Sequence, residues 1–383
     1  MEYGEILKFI RSLYPDRENV PLHEPVFSGN EKSYLTECVD STFVSSVGKY
    51  VDEFETKIAE YTGAKKAVAV VNGTQALFIA LKLAGVEPET EVITQSLTFI
   101  ATANAIQYTG AIPHFLDVDP DTMGLSPEVL SNFLKESTHN KNGRLYNRNT
   151  GREISAVVPM HTLGHPCRIS EIARLCNEYE LPLVEDAAES LGSFVEGKHT
   201  GRFGLLGTLS FNGNKVITTG GGGMIITDNE ELGVRAKHLT TTAKLPHRYE
   251  FIHDEVGYNF RLPNINAALG VAQMEKLPLI LESKRDIAER YAAFFSNTGW
   301  KFVLEPSFGK SNYWLNSVQF ENLSKRNEFL NVSNDSGVIT RSFWKPMHQL
   351  PMYTSCPKSH MRNTENLYET MVNLPSSARI RVI

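Results

Sequence analysis

Between Ala67 and Thr227, short apolar runs alternate with stretches of helical periodicity, and this alternation limits the possible folds more than any other feature of the chain. Seven runs have strand character: Ala67–Val71, Glu91–Thr94, Ile112–Val118, Ile154–Met160, Leu181–Glu185, Thr208–Phe211 and Gly223–Thr227. Between them, Thr74–Leu83, Thr102–Tyr108, Pro127–Leu134 and Ile169–Tyr179 place apolar residues at helical spacing. Strands alternating with helices build a parallel sheet covered on both faces. The expectation is an α/β fold with a seven-stranded, mostly parallel sheet. Lys135 to Arg152 is polar, rich in Asn and Gly and without periodicity, so it is expected to be an exposed loop.

The flanks divide the chain. Ile6, Leu7, Ile10 and Leu13 predict one amphipathic helix ahead of Pro15, and Pro21 to Asn30 is expected to be an extended arm. Helices are predicted from Asn30 through Cys38 and from Tyr50 to Tyr61. Past Thr227 the pattern shifts to helices at Glu230–Leu239, Ile265–Leu277 and Ser283–Phe295, then strand-like runs at Phe302, Trp314–Phe320 and Val338–Thr340. A chain of 383 residues exceeds what one core usually serves. The expected organisation is an N-terminal helix and arm (1–30), a large domain (31–245) and a smaller α+β C-terminal domain (246–383).

The formal charge of −6 carries no basic excess, which argues against nucleic acid or an anionic membrane as partner. The opening Met1-Glu-Tyr-Gly-Glu-Ile-Leu-Lys8 lacks the basic and apolar regions of a secretory leader. The most apolar segment, Ala67 to Val86, is broken by Asn72, Thr74, Gln75 and Lys82 and does not span a bilayer. Cys38, Cys167, Cys176 and Cys356 form no paired spacing, so reduced thiols in a cytoplasmic protein and no metal site are expected.

The chemistry converges on strand ends. Leu181–Glu185 delivers Asp186 to the carboxyl edge of the sheet, where ligands bind in open α/β folds. Lys215 follows the next apolar run. A carboxylate and a lysine on adjacent strand ends suit a cofactor with a basic ring nitrogen and an aldehyde, which is the chemistry of pyridoxal phosphate. Taken singly, Asp186 also fits a helix cap and Lys215 a solvated charge. Asn72-Gly-Thr74 is a strand-to-helix turn offering N–H groups to an anion, although an ordinary capped turn has the same form. It has neither dinucleotide nor triphosphate glycine spacing. Phe99 is placed to stack on a flat ring, Ser210 to donate to a phosphate, and Gly220 to Gly223 to permit close backbone approach.

The ordered segments Ser46-Val-Gly-Lys-Tyr-Val-Asp-Glu-Phe-Glu55, Asn72-Gly-Thr74, Thr98-Phe-Ile-Ala-Thr-Ala-Asn-Ala-Ile106, Phe115-Leu-Asp-Val-Asp-Pro120, Glu185-Asp-Ala-Ala188, Ser210–Lys215 and Gly257-Tyr-Asn-Phe-Arg-Leu262 carry a resemblance over nearly the whole chain. It resembles the DegT/DnrJ/EryC1/StrS family of pyridoxal-phosphate-dependent sugar aminotransferases. The resemblance implies fold type I, of the aspartate aminotransferase kind. Lys215 would bond the cofactor and shuttle the proton, and its presence rather than His argues against the family's sugar-dehydratase branch. Asp186 would hold the ring nitrogen, with Gly73, Thr74 and Ser210 on the phosphate. Glu189 stands where many relatives have Gln beside the ring hydroxyl, which requires it to be protonated or differently placed. Asn259 would reach the phosphate of a partner subunit's cofactor, implying a homodimer with shared active sites.

Pro21-Leu-His-Glu-Pro25, Ser41–Gly48 and His238–Lys244 are most similar to a subgroup acting on UDP-2-acetamido-4-keto-2,4,6-trideoxyhexose. That subgroup serves legionaminic-acid and bacillosamine-type pathways, with L-glutamate as the amino donor. GDP-4-keto-6-deoxymannose, giving perosamine, is the near alternative, and a sugar-nucleotide sensor without turnover is another. His161, Arg261, Trp344 and His348 are the candidate substrate contacts. Relatives continue beyond Asn373–Ser377 into another helix, so the second domain is expected to end early.

Overall fold

The computed structural model describes residues 3–380; the readings that fall on Met1, Glu2 and residues 381–383 lie outside the described residues. The seven predicted strands form one sheet. Its spatial order is Lys66–Val70, Gly223–Thr227, Leu206–Ser210, Val184–Asp186, Ile154–Val158, Glu91–Gln95 and Ile112–Leu116. Two parallel bridges, Val157 to Leu183 and Met160 to Asp186, join its halves. Of these seven strands, Gly223–Thr227 alone runs against the direction of the other six.

Helices Gly73–Leu83, Ile100–Tyr108, Pro127–Ser137 and Ile169–Glu178 connect the strands, close to their predicted bounds. Ser126 caps the third, with Pro127 in its first turn, where no N–H bond is lost. Helix Gly73–Leu83 is buried at six successive residues, Ala76 through Leu81, because it packs within the layers. Every parallel strand therefore points its carboxyl end at the same edge, and Gln95, Asp186 and Ser210 arrive there together.

Three expectations are corrected. Lys135–Arg152 is not a structureless loop: Thr138–Lys141 and Arg144–Asn147 pair as a hairpin. Asn142 and Gly143 both take positive φ, 56° and 78°, as a tight hairpin turn between right-twisted strands requires. The two helices read at 265–277 and 283–295 are one, Asn264–Phe295, running through Pro278. Proline removes one backbone bond there, and the row of buried side chains from Ala267 to Phe295 outweighs it. The C-terminal sheet orders Lys301–Phe302, Asn316–Gln319, Met371–Leu374 and Arg341–Ser342, all antiparallel. Val338, expected in it, bridges Val20, just ahead of the arm, instead.

The N-terminal helix Tyr3–Leu13 shares its core with this second sheet, packing Ile6, Ile10 and Leu13 among Ile287, Tyr291, Val318 and Phe329. The arm is tied down by the buried Lys284, whose Nζ donates to the Trp314 and Ser376 carbonyls and contacts His23. Burial lowers the Lys284 pKa to about 7.

Candidate active site

The strand edge opens into a cavity of about 200 Å³ lined by Gly73, Thr74, Phe99, Asp186, Glu189, Ser210, Lys215 and Trp344. Eight of the twelve predicted site residues are thus brought together. Asp186 ends its strand with the carboxylate buried; Oδ2 accepts from Thr102 Oγ1 at 2.7 Å and Oδ1 from the Ala188 N–H at 3.2 Å. Two donors fix its direction before any ligand arrives. Gly73 opens helix Gly73–Leu83, and Asn72 caps that helix on the Gln75 N–H at 2.8 Å. A Cβ at Gly73 would lie 2.9 Å from the Ser210 Cβ, so only glycine lets the helix terminus and the serine close on one spot.

Lys215 Nζ sits 3.1 Å from Glu189 Oε1 and 4.1 Å from the Trp314 ring centroid. Glu189 Oε2 accepts from the Leu163 N–H at 2.9 Å. Burial raises the Glu189 pKa to about 7, although Lys215 and the Leu163 N–H both oppose the rise. Phe99 is 47% exposed at the cavity mouth, edge-on to Trp344 with centroids 6.3 Å apart. A helix N-terminus with a serine hydroxyl, a fixed buried carboxylate and a lysine on one cavity form the donor set for an aromatic phosphate ester with a basic ring nitrogen and an aldehyde. Pyridoxal phosphate fits that set.

Four predicted residues lie elsewhere. His161 is fully buried: Nε2 lies 3.0 Å from Glu185 Oε2, and Nδ1 accepts from the Cys167 N–H at 3.3 Å. Glu185 Oε2 also accepts from the Gly201 N–H and Oε1 from that of Gly204, so this pair knits the layer beneath Asp186 and does not face the cavity. His348 is buried between Ser96 Oγ at 2.7 Å and Glu365 Oε1 at 3.3 Å, outside the cavity lining. Burial lowers its pKa against the pull of Glu365. Arg261 donates to Asn259 Oδ1 at 3.2 Å, and both lie away from this chain's own cavity.

The residue missed is Trp314, predicted only as part of a strand. It lies under the lysine amine, and its Nε1–H donates to the Asn214 carbonyl at 2.6 Å, pinning the residue next to Lys215. Asn312 was also missed; its Nδ2 donates to the Glu189 and Leu191 carbonyls and holds the turn after Asp186.

The DegT/DnrJ/EryC1/StrS aminotransferase family model matches residues 26–381. The chain belongs to that family. It is a pyridoxal-phosphate-dependent sugar aminotransferase of fold type I. The GDP-perosamine synthase of Escherichia coli O157:H7 is 37% identical, covering 93% of this chain and 93% of that one. The UDP-4-amino-4,6-dideoxy-N-acetyl-beta-L-altrosamine transaminase of Campylobacter jejuni is 30% identical, covering 86% and 85%. The crystal structure of the aminotransferase TlmJ from Streptoalloteichus hindustanus superposes with a TM-score of 0.84 at 29% identity, covering 94% and 93%. Among the described residues no helix is long and apolar enough to cross a membrane.

Proposed function

We propose that this family member moves an amino group from L-glutamate to C4 of a nucleotide-linked 4-keto-6-deoxy sugar. The observation that carries the reading is the meeting of Asp186, Ser210, Gly73 and Lys215 on one cavity. The cofactor, when bound, supplies the electron sink that makes an amino acid's α-proton acidic. Asp186, held by Thr102 and Ala188, would pair with the ring nitrogen. Gly73, Thr74 and Ser210 would hold the phosphate, and Phe99 would flank the ring. Lys215 takes the α-proton from glutamate at Nζ and later delivers a proton to the sugar carbon. Glu189, with its pKa raised to about 7 by burial, lies 3.1 Å from Nζ and would exchange a proton near neutral pH. Trp344 meets the sugar at the mouth.

A second copy completes the site by bringing its Asn259, beside Arg261, to the phosphate. The exposed apolar residues Phe43 and Val47 support such an interface, being 55% and 67% exposed. The homodimer works in the cytoplasm, where nucleotide sugars for surface polysaccharide, including lipopolysaccharide, are made.

The GDP-linked sugar takes first place over the UDP-linked one because the perosamine synthase is more similar and more fully covered than the altrosamine transaminase. The legionaminic-type UDP substrate is the second reading, supported by the latter relative. Purified holoenzyme is given L-glutamate with GDP-4-keto-6-deoxymannose, or with the UDP-linked 4-keto-HexNAc. The expected result is 2-oxoglutarate and a 4-amino sugar nucleotide in equal amounts, faster with the GDP sugar. Turnover of the UDP sugar alone reverses the order, and no amino transfer from glutamate to either ends the reading.

A further inference from the structure

Strand Glu91–Gln95 carries Gln95 toward the cofactor edge and Glu91 at its opposite end. Beside Glu91 lies a second cavity of about 530 Å³, enclosed by helix Pro127–Ser137, the end of the hairpin and residues 357–360. Glu91 is fully buried. Its carboxylate accepts from His114 Nδ1 at 2.8 Å, Asn147 Nδ2 at 2.8 Å and Thr150 Oγ1 at 2.5 Å. Burial alone would raise its pKa, but these donors outweigh burial and hold it below the usual value.

An ionised Glu91 keeps the proton on His114 Nδ1. The imidazole therefore offers its other nitrogen, Nε2, which has no partner among the described residues. His114 is only 4% exposed, yet it lines the cavity, braced edge-on by Phe133 with centroids 4.5 Å apart. Lys358 and His360 stand on the same wall, and Lys358 makes no ion pair among the described residues. The amides of Asn132 and Asn149 and the hydroxyl of Thr150 supply neutral hydrogen-bonding groups.

We propose that this cavity is a second ligand site, separate from the cofactor pocket, for a small phosphorylated polyol such as a hexose monophosphate. The phosphate lies between Lys358 and His360, while a sugar hydroxyl donates to His114 Nε2, the imidazole being backed by Glu91 as a carboxylate–histidine pair. The sugar hydroxyls meet Asn132, Asn149 and Thr150 over the Phe133 edge. Glu136, a carboxylate on the same wall with no cation partner among the described residues, repels a polyanion. A single phosphate is therefore favoured over a nucleoside diphosphate.

The test is calorimetric titration of the holoenzyme with glucose 1-phosphate, inorganic phosphate and glucose, on wild type, Lys358→Ala and His114→Gln. Losing one charged hydrogen bond costs roughly 10-fold in affinity. Glucose 1-phosphate is expected to bind more tightly than phosphate or glucose, with at least that loss in Lys358→Ala and a smaller one in His114→Gln. Lys358→Ala, at an exposed position, should retain wild-type amino transfer, which shows that it folds. No binding of any probe overturns the proposal, as does binding that Lys358→Ala leaves unchanged. Inorganic phosphate binding as tightly as glucose 1-phosphate overturns the polyol part.

Discussion

Two glutamates are buried at opposite ends of one sheet, and their surroundings move their pKa values in opposite directions. Glu91 receives three hydrogen-bond donors and stays ionised in a closed network. Glu189 receives one backbone N–H and one lysine, and burial raises its pKa to about 7. What separates them is the number of fixed donors, because each donor directed at the charged form offsets desolvation. A fully satisfied carboxylate is a structural anchor. One with spare capacity, next to an amine, can pass protons at neutral pH.

That contrast predicts which changes remove chemistry and which remove stability. The largest effect is at the cofactor end: Lys215→Ala should lose turnover while far-UV circular dichroism and melting stay near wild type. Coupled unfolding would instead make Lys215 a structural residue. Next, Asp186→Asn should keep the fold and lower kcat/KM by about 10²–10³, the range for one preorganised electrostatic partner. Wild-type rates would reduce Asp186 to a cap for Ala188 and Thr102.

At the other end, Glu91→Gln should cost about 2–3 kcal/mol in denaturant melts, since it loses hydrogen bonds made to a charge. Its kcat/KM, per folded molecule, should be unchanged. A rate loss with unchanged stability would erase the distinction between the two ends.

The pH dependence of apoprotein stability sharpens the comparison. Glu91, with its pKa lowered from 4.5, contributes stability present above that value and lost as acid protonates it. Glu189, raised from 4.5 to about 7, binds a proton in the folded state that the unfolded chain has released. Its contribution therefore falls as pH rises from 4.5 to 7. Glu189→Gln should gain stability relative to wild type across that window, and a flat difference would refute the raised pKa. The smallest effect is Trp314→Phe, which keeps a ring under Lys215 and loses the bond to Asn214. About 1 kcal/mol, or roughly fivefold in kcat, is expected. An equal loss in Trp314→Leu would mean the ring face does nothing for the amine.

The sheet and most of the cofactor site were legible because each depends on local pattern. Apolar runs bounded by Gly, Asn and Asp mark strand ends, and strand ends present Asp186, Ser210 and the turn at Gly73. The hairpin was legible too, in Asn142-Gly143, but the polar residues around it obscured that signal. Pro278 split the long helix on paper because a sequence window does not see the packing that carries a helix across a proline. The histidines were misplaced for a different reason. His348 finds Ser96 across 252 residues, and Trp314 finds Asn214 across 100, so no local spacing reveals either partner. His161 meets Glu185 only because two parallel strands lie side by side.

The most direct test of the central claim is chemical. Holoenzyme is treated with borohydride, which makes the lysine–cofactor link permanent, then digested and mapped by mass spectrometry. The account predicts the cofactor's added mass on the peptide carrying Lys215 and on no other lysine. Label on Lys284 or any other residue, or no label on protein that carries bound cofactor, would contradict it.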